Sequence, residues 1–284
     1  METIKSLENL SFNELYDAFG KAFKDYEIQI SKEALKGMLK RRGFVPELSF
    51  GAFIDDKLVS FTFNGIGDWN GVKTAYDTGT GTIEEFCGQG LATKVFNYSI
   101  PSLKNAGIQQ YLLEVLQHND KAVSIYKKIG FEVSREFNYF SQSNDQVKVK
   151  SKELDTSYNI KEMDLSDKEL MMIFWDFVPS WQNSFDSIQR TVEDFKILGA
   201  YVNQELVGYS IFEPNSGDIT QLAVRKEHRR NGIASNLLQR MFELNQNDSL
   251  KLVNSTIECE EITNFIEAQG IPLRGAQFEM MKQL

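Results

Sequence analysis

Cysteine and histidine are nearly missing from this chain, with two of each among 284 residues. Cys87 and Cys259 lie far apart, and neither has a second cysteine close by, so the sequence offers neither a disulfide framework nor a cysteine zinc site. With His118 and His228 the only imidazoles, a metal would have to rest on carboxylates, and no loop has the acidic spacing of a calcium site. No metal is expected. Positive charge is also short: 31 Lys and Arg against 40 Asp and Glu leave a formal charge of −9. Such a surface repels phosphate backbones and anionic membranes, so neither nucleic acid nor membrane is an expected partner. No run approaches the roughly 18 apolar residues of a membrane span. The opening METIKSLENLSFNELYDAF is charged throughout and lacks the apolar core of a signal peptide. The expected location is the cytoplasm.

What is present is apolar surface: 42% of the residues are hydrophobic. That suffices for one large core or for two ordinary domains of roughly 100 to 200 residues, and two domains is the expectation. Apolar Phe12, Leu15, Phe19 and Phe23 recur at helical spacing, with Ser11 and Glu14 in a capping-box pattern before them. SKEALKGMLKRRG reads as a second helix closed by Gly43. LSFGAFIDD, KLVSFTFNGIG and TAYDTGTGTI read as strands, with a turn at Asp55 and Asp56. A glycine turn then opens a helix that ends at Gly107, and QYLLEVLQ is a strand. DKAVSIYKKIG is a helix stopped by Gly130, and FEVSREFNYF is a strand. VKVK at 147–150 reads as the last strand of a hairpin, with a linker at 154–157. From there the order repeats. YNIKEM is a strand, 164–178 is helical, and KILGAYVN, ELVGYSIFE and DITQLAV are strands. A glycine turn, a helix, the strand KLVNSTIE, the helix EEITNFIEAQG and the strand GAQFEMMKQL complete the second copy. This domain-scale repeat predicts two α/β domains, 1–154 and 155–284.

Each half has a strand ending in a glycine turn that opens a helix: Cys87, Gly88, Gln89, Gly90, Leu91, Ala92 and then Arg229, Arg230, Asn231, Gly232, Ile233, Ala234. Backbone N–H groups and the helix dipole make such a place an anion site. The same turn also serves as a plain strand-to-helix connection, but its recurrence at one position in both halves favours a ligand. Neither loop is G-x-G-x-x-G, and no Walker lysine follows, so neither an NAD nor an ATP site is indicated.

RRNGIA at 229–234 resembles the Q/R-x-x-G-x-G/A signature of the GNAT superfamily of acetyl-coenzyme A dependent N-acyltransferases, and CGQGLA at 87–92 matches with Cys in the first place. LLEVLQHNDKAVSIYKKIGF resembles the family's second signature, with Asn119, Ala122, Tyr126, Gly130 and Phe131 at its positions. The resemblance covers both halves. It implies two tandem domains of α/β (α+β) class, each a mixed, largely antiparallel sheet flanked by helices, with a splayed central strand pair that takes the pantetheine arm. It implies acetyl-CoA as co-substrate, with Thr82 and Ile83 on the arm and amides from Gly88 through Thr93 on the pyrophosphate. The counterparts are Leu222 and Val224, then Arg230 through Ser235. Main-chain donors can replace a missing Arg at Cys87.

Acyl transfer from a thioester to an amine calls for a proton donor to the departing thiolate and an acceptor for the amine proton. Tyr126 stands where the family often uses a tyrosine acid, a role such a phenol can fill; the alternative is a packed helix residue. Counting from the helix-ending glycines, Gly130 matches Gly270, Tyr126 matches Ile266, Asn119 matches Cys259 and Glu114 matches Asn254. The first half is therefore the expected catalyst and the second a degenerate copy that still binds coenzyme A or shapes the acceptor pocket, with the opposite assignment open. Glu114, an acid inside the apolar run LLEVL, is the candidate base, with Glu84 and Glu85 at the loop mouth as others. His118 reads as an exposed loop residue. The aromatic segment 174–185, with two of the chain's three tryptophans, either lines a pocket for an apolar or cationic amine or packs the halves together. A different class of function stays open, a coenzyme A sensor without turnover. The acceptor class is a small-molecule or peptide amine.

Overall fold

Local chemistry starts and stops the first elements in the computed structural model, which describes residues 1–24, 30–150 and 157–284. After strand β1 (Glu2–Ser6), Ser11 and Glu14 form the reciprocal capping box, and helix α1 (Phe12–Ala22) follows. Helix α2 (Lys32–Arg42) stops at Gly43, whose φ of 79° turns its N–H back onto the Leu39 and Lys40 carbonyls. Strands β2 (Phe50–Ile54) and β3 (Lys57–Trp69) are joined through Asp55 and Asp56, both at positive φ, the backbone a tight hairpin needs. Then come β4 (Val72–Thr82), α3 (Leu91–Asn105), β5 (Gln110–Leu116), α4 (Asp120–Lys128) and β6 (Glu132–Ser143). The second half runs β7 (Tyr158–Glu162), α5 (Lys168–Met172), α6 (Phe185–Gln189), β8 (Lys196–Val202), β9 (Glu205–Glu213), β10 (Asp218–Val224), α7 (Ile233–Leu244), β11 (Ser249–Thr256), α8 (Glu260–Ala268) and β12 (Leu273–Gln283).

The chain forms two compact units, one of Met1–Ser134 with Phe278–Leu284 and the other Arg135–Gln277. In the first the strand order is β1-β2-β3-β4-β5-β12, and in the second it is β6-β11-β10-β9-β8-β7. β1 through β4 and β7 through β10 pair antiparallel, whereas β4 with β5 and β10 with β11 run parallel. In the first unit, α1 and α2 press Leu15, Phe19, Leu35 and Leu39 onto Phe53, Phe61 and Phe63. On the other face, Phe96 and Leu103 of α3 and Val123 of α4 pack on Ala75, Tyr111 and Leu113. The second unit buries Leu237, Leu238 and Met241 of α7 and Ile266 of α8 against Val207, Phe212 and Ile219. Among the described residues no helix is long and apolar enough to cross a membrane.

The last strand of each half is exchanged. β6 from Phe137 to Ser143 pairs antiparallel with β11 of the second unit. The chain end from Phe278 belongs to the first unit, where the Leu284 N–H bonds the Gln109 carbonyl at 2.9 Å. The boundary expected at 154/155, and residues 154–156 of the expected linker, lie outside the described residues; the compact units change at 134/135 and again at 277/278. Three differences concern elements. VKVK is not a strand: Val147 and Val149 pack on the second core, while the Lys148 N–H bonds the Gln269 carbonyl and the Lys150 N–H its side-chain oxygen. Gln269, the residue after α8, thus takes two of the segment's amides, and the Val147 N–H bonds the Ser143 carbonyl. Of the helix expected over 164–178, only the turn Leu165–Asp167 and α5 form. β1, too short for a clear alternation, was not foreseen.

Gly65 tests the packing. A Cβ there would stand 2.0 Å from the Arg42 carbonyl oxygen, a backbone atom, whereas a Cβ at Gly37 in α2 meets nothing within 4 Å. Gly65→Ala is expected to destabilise by about 1–3 kcal/mol and Gly37→Ala to stabilise by about 1 kcal/mol, both read by denaturant unfolding.

Candidate active site

In both units the parallel strand pair parts almost as soon as it forms. β4 pairs with β5 only at Thr74, Ala75 and Tyr76, although both strands continue beyond. A bulge at Thr78, between Asp77 opposite Asn64 and Gly79 opposite Phe63, bends β4. β10 and β11 pair only at Asp218 with Lys251, and the bulge falls at Thr220. Thr78 and Thr220 occupy matching places before the strand ends. Beyond each fork lies a wedge between two strand edges.

The glycine loops close the wedges. Gly88 and Gly90 have φ of 80° and 73°, and Arg230 and Gly232 have 66° and 85°, so one left-handed backbone path serves both loops. Gly90 and Gly232 cap α3 and α7 with no side-chain capping bond, which leaves first-turn donors for an anion. The first loop position ties the loop to its strand end: Cys87 Sγ lies 3.6 Å from the Thr82 carbonyl, and Arg229 Nε donates to the Val224 carbonyl at 2.8 Å. Arg229 also pairs with Asp176 at 2.9 Å, so its charge is already engaged. Both backbone groups of Ile83 are used as well, its N–H on the Val59 carbonyl and its carbonyl by the Phe86 N–H. Thr82 Oγ1 shares a hydrogen bond with Ser60 at 2.8 Å. In the first loop Gln89 is exposed, Leu91 is buried in the core, and Ala92 and Thr93 are half-buried on the first turn of α3.

The surroundings of the two loops differ in charge. Exposed Glu84 and Glu85 precede the first, where Lys24 pairs with Glu84 and holds its carboxyl below the usual range. Lys226, His228, Arg229 and Arg230 flank the second. A cavity of about 680 Å³ opens there, with Leu222 and Val224 on its β10 edge and Arg229, Arg230, Gly232, Ile233, Ala234 and Ser235 at its loop end. Asn231 instead bonds the Tyr158 hydroxyl and the His228 carbonyl. The aromatic segment divides: Trp175 and Phe177 line the cavity, while Phe174, Trp181 and Phe185 are buried. Trp175 Nε1 donates to the Tyr209 hydroxyl, Tyr209 to Gln221, and Gln221 to the Asn183 carbonyl, each at 2.6 Å. Burial raises the Tyr209 phenol above its usual range. Asn254 donates to Ser180 and accepts from Gln277. Ile266 is wholly buried in the core.

Ionisable groups crowd the first fork. The Tyr126 hydroxyl donates to Asp77 Oδ2 at 3.0 Å, and Asp77 is the first β4 residue past the last β4–β5 pair. Thr80 Oγ1 donates to the same oxygen at 2.7 Å and the Gly79 N–H to Oδ1 at 2.9 Å. Strand alternation puts Tyr76 and Glu114 on one face and Asp77 and Tyr111 on the other. Tyr76 donates to Glu114, and burial together with that carboxylate raises its phenol far above the usual range. Asn119 Oδ1 caps α4 by accepting from the Ala122 N–H at 3.2 Å, Tyr126 stands edge-on to Phe131, and His118 is exposed. Asp77 and Tyr76 were missed in the sequence; the available signal was a lone acid inside TAYDTGTGT, a strand otherwise of small and hydroxylated residues.

Residues 11–131 match the acetyltransferase (GNAT) family, and residues 164–262 match an acetyltransferase (GNAT) domain. The chain is 30% identical over 102 residues to N-alpha-acetyltransferase 30 of Schizosaccharomyces pombe, which covers 35% of this chain and 68% of that protein. This chain belongs to the GNAT acetyltransferase family. The fold agrees along its whole length. A tandem GNAT protein from the clavulanic acid biosynthesis pathway superposes with TM-score 0.76 at 12% identity, covering 100% of this chain and 98% of that one. A GCN5-related N-acetyltransferase from Sphaerobacter thermophilus gives 0.71 at 14% identity, covering 99% and 95%. The protein is thus an acetyltransferase with two GNAT domains, of a family that uses acetyl-CoA.

The two GNAT units hold their signature helices differently. Asn119 caps α4, whereas Cys259 at the same place on α8 makes no capping bond. Asn119→Ala is expected to cost about 1 kcal/mol, and Cys259→Asn to add up to about 1 kcal/mol, in unfolding experiments.

Proposed function

We propose that the protein transfers an acetyl group from acetyl-CoA to a primary amine at the fork of β4 and β5. Tyr126 is the general acid toward the coenzyme A thiolate, and Glu114 accepts the amine proton directly or through water. The observation that carries this reading is the Tyr126 hydroxyl bonded to Asp77 at the first position beyond the last strand pair; the matching helix position of the second unit holds the buried Ile266. A phenol near pKa 10 can protonate a thiolate whose own acid has a pKa near 8.5 once water replenishes it, because the proton is handed over as the C–S bond breaks. Tyr126 and Glu114 face opposite sides of the fork, which suits proton donation to sulfur on one side and proton removal from the amine on the other. The pantetheine arm lies in the wedge, with the pyrophosphate on amides from Gly88 through Thr93. The second unit keeps a coenzyme A site in its cavity, with Arg230 through Ser235 at the pyrophosphate. The amine belongs to a small molecule or a peptide; the name of the yeast relative favours an α-amino group, and the acidic surface a cationic acceptor.

A second reading puts catalysis in the second unit. It is favoured by the 680 Å³ cavity at that loop and the cations around it, where the first loop has Glu84 and Glu85. Thiol release from acetyl-CoA with spermidine, an aminoglycoside and a peptide with a free N-terminus decides between them. Tyr126→Phe is expected to lower kcat by about 10²- to 10⁴-fold, and by more than Gly232→Glu does. Unchanged turnover in the first with loss in the second moves the chemistry to the second unit. Coenzyme A binding without thiol release over the whole panel leaves a sensor.

A further inference from the structure

The Tyr126 proton is already committed. A phenol has a single O–H, and in the first unit it is donated to Asp77. If Tyr126 gave that proton to sulfur beside an ionised Asp77, a phenolate and a carboxylate would be left in contact, an arrangement that two anions in a half-buried site resist.

We propose that Asp77 is a positioning residue acting through Tyr126: in its acid form it passes a proton to the Tyr126 oxygen as Tyr126 passes its own to the coenzyme A thiolate. This rests on the reading of Tyr126 as the general acid. The atoms balance. The Tyr126 O–H bond breaks as the S–H bond forms, the Asp77 carboxyl O–H breaks as the Tyr126 O–H is restored, and Asp77 ends as a carboxylate accepting from Tyr126. That end state is the arrangement observed, with Thr80 and Gly79 donating to the same carboxylate. The amine, on becoming an amide, gives its proton to Glu114 directly or through water, Glu114 releases it to water, and water returns one to Asp77 for the next cycle.

The surroundings suit a group that can hold a proton. Burial raises the Asp77 carboxyl above its usual range; the bonds from Thr80, Tyr126 and Gly79 and the charge of Arg42 pull the other way without cancelling it. The charged and titratable groups around it are Arg42 from α2, whose Nη1 donates to the Thr78 carbonyl at 3.1 Å, Tyr111 on β5 and Tyr126 on α4, while Tyr76, next to it on the same strand, points to the other face and feels its charge. Glu114 acts on Tyr76 from the other face. Among these, Tyr126 is the group that hydrogen-bonds Asp77 from another secondary-structure element.

The acid form is lost as pH rises through the Asp77 pKa, so kcat must fall along an alkaline limb. The test measures kcat and the KM for acetyl-CoA against pH, using the panel amine turned over fastest, for wild type, Tyr126→Phe, Asp77→Asn and Asp77→Glu. The expected result is a limb in wild type and in Asp77→Glu that vanishes in Tyr126→Phe and in Asp77→Asn, with kcat down about 10-fold or more in Asp77→Asn and KM unchanged. Wild-type kcat and limb in Asp77→Asn overturn the relay while leaving Tyr126 as the acid. If Asp77→Asn does not fold, a limb that persists in Tyr126→Phe overturns it instead. Wild-type turnover in Tyr126→Phe, or no turnover of any panel amine, removes the general-acid reading and the relay with it.

Discussion

A parallel strand pair that stops pairing part-way is the constraint around which both units are built. Every backbone N–H and carbonyl that leaves the ladder needs another partner, and beyond Tyr76 and Asp218 the parted strands no longer supply one another. The bulges at Thr78 and Thr220 fix where the parting begins. The left-handed turns at Gly88, Gly90, Arg230 and Gly232 fix where the wedge is closed and where uncapped helix amides point. Even the first loop residue serves this geometry, since Cys87 and Arg229 both hold the carbonyl of their strand end. That shared task explains how Cys can stand in a place where the family has Arg: the tether is weaker, but it has the same target.

On this common frame the two units have diverged. At the matching helix position, one has a hydroxyl bonded to a half-buried acid and the other a methyl-bearing chain sunk in the core. The second unit has cations at its loop and a roomy cavity. The polar groups on its floor are consumed by one another, Trp175 by Tyr209, Tyr209 by Gln221 and Gln221 by the Asn183 backbone. Such a closed chain holds those side chains in place. The first unit pairs weak loop electrostatics with a fork full of ionisable groups, an asymmetry that supports the proposed division between chemistry and retention of coenzyme A.

Much of this was legible in the sequence because it is local. Ser11 with Glu14, Gly43, Gly130 and the Asp55–Asp56 turn are read within a few residues, and each does in three dimensions what its chemistry implies. The glycine loops were legible for the same reason, and their recurrence revealed the repeat. What escaped was long-range. Asp77 looks like any acid in a strand until α4 brings Tyr126 onto it. Arg229 looks like a phosphate ligand until Asp176 and the Val224 carbonyl claim it. VKVK alternates like a strand, but Gln269 takes two of its amides. Nor does any local pattern announce that β6 and β12 would change units, since an alternating strand fits either sheet equally well.

The exchange of final strands makes each half depend on the other. Each half carries in its tail a piece that the other requires, so neither copy can be deleted, duplicated or shuffled into another gene without leaving an unfinished sheet behind. The second GNAT domain completes the first whatever its own chemistry, because the chain end from Phe278 belongs to the first unit.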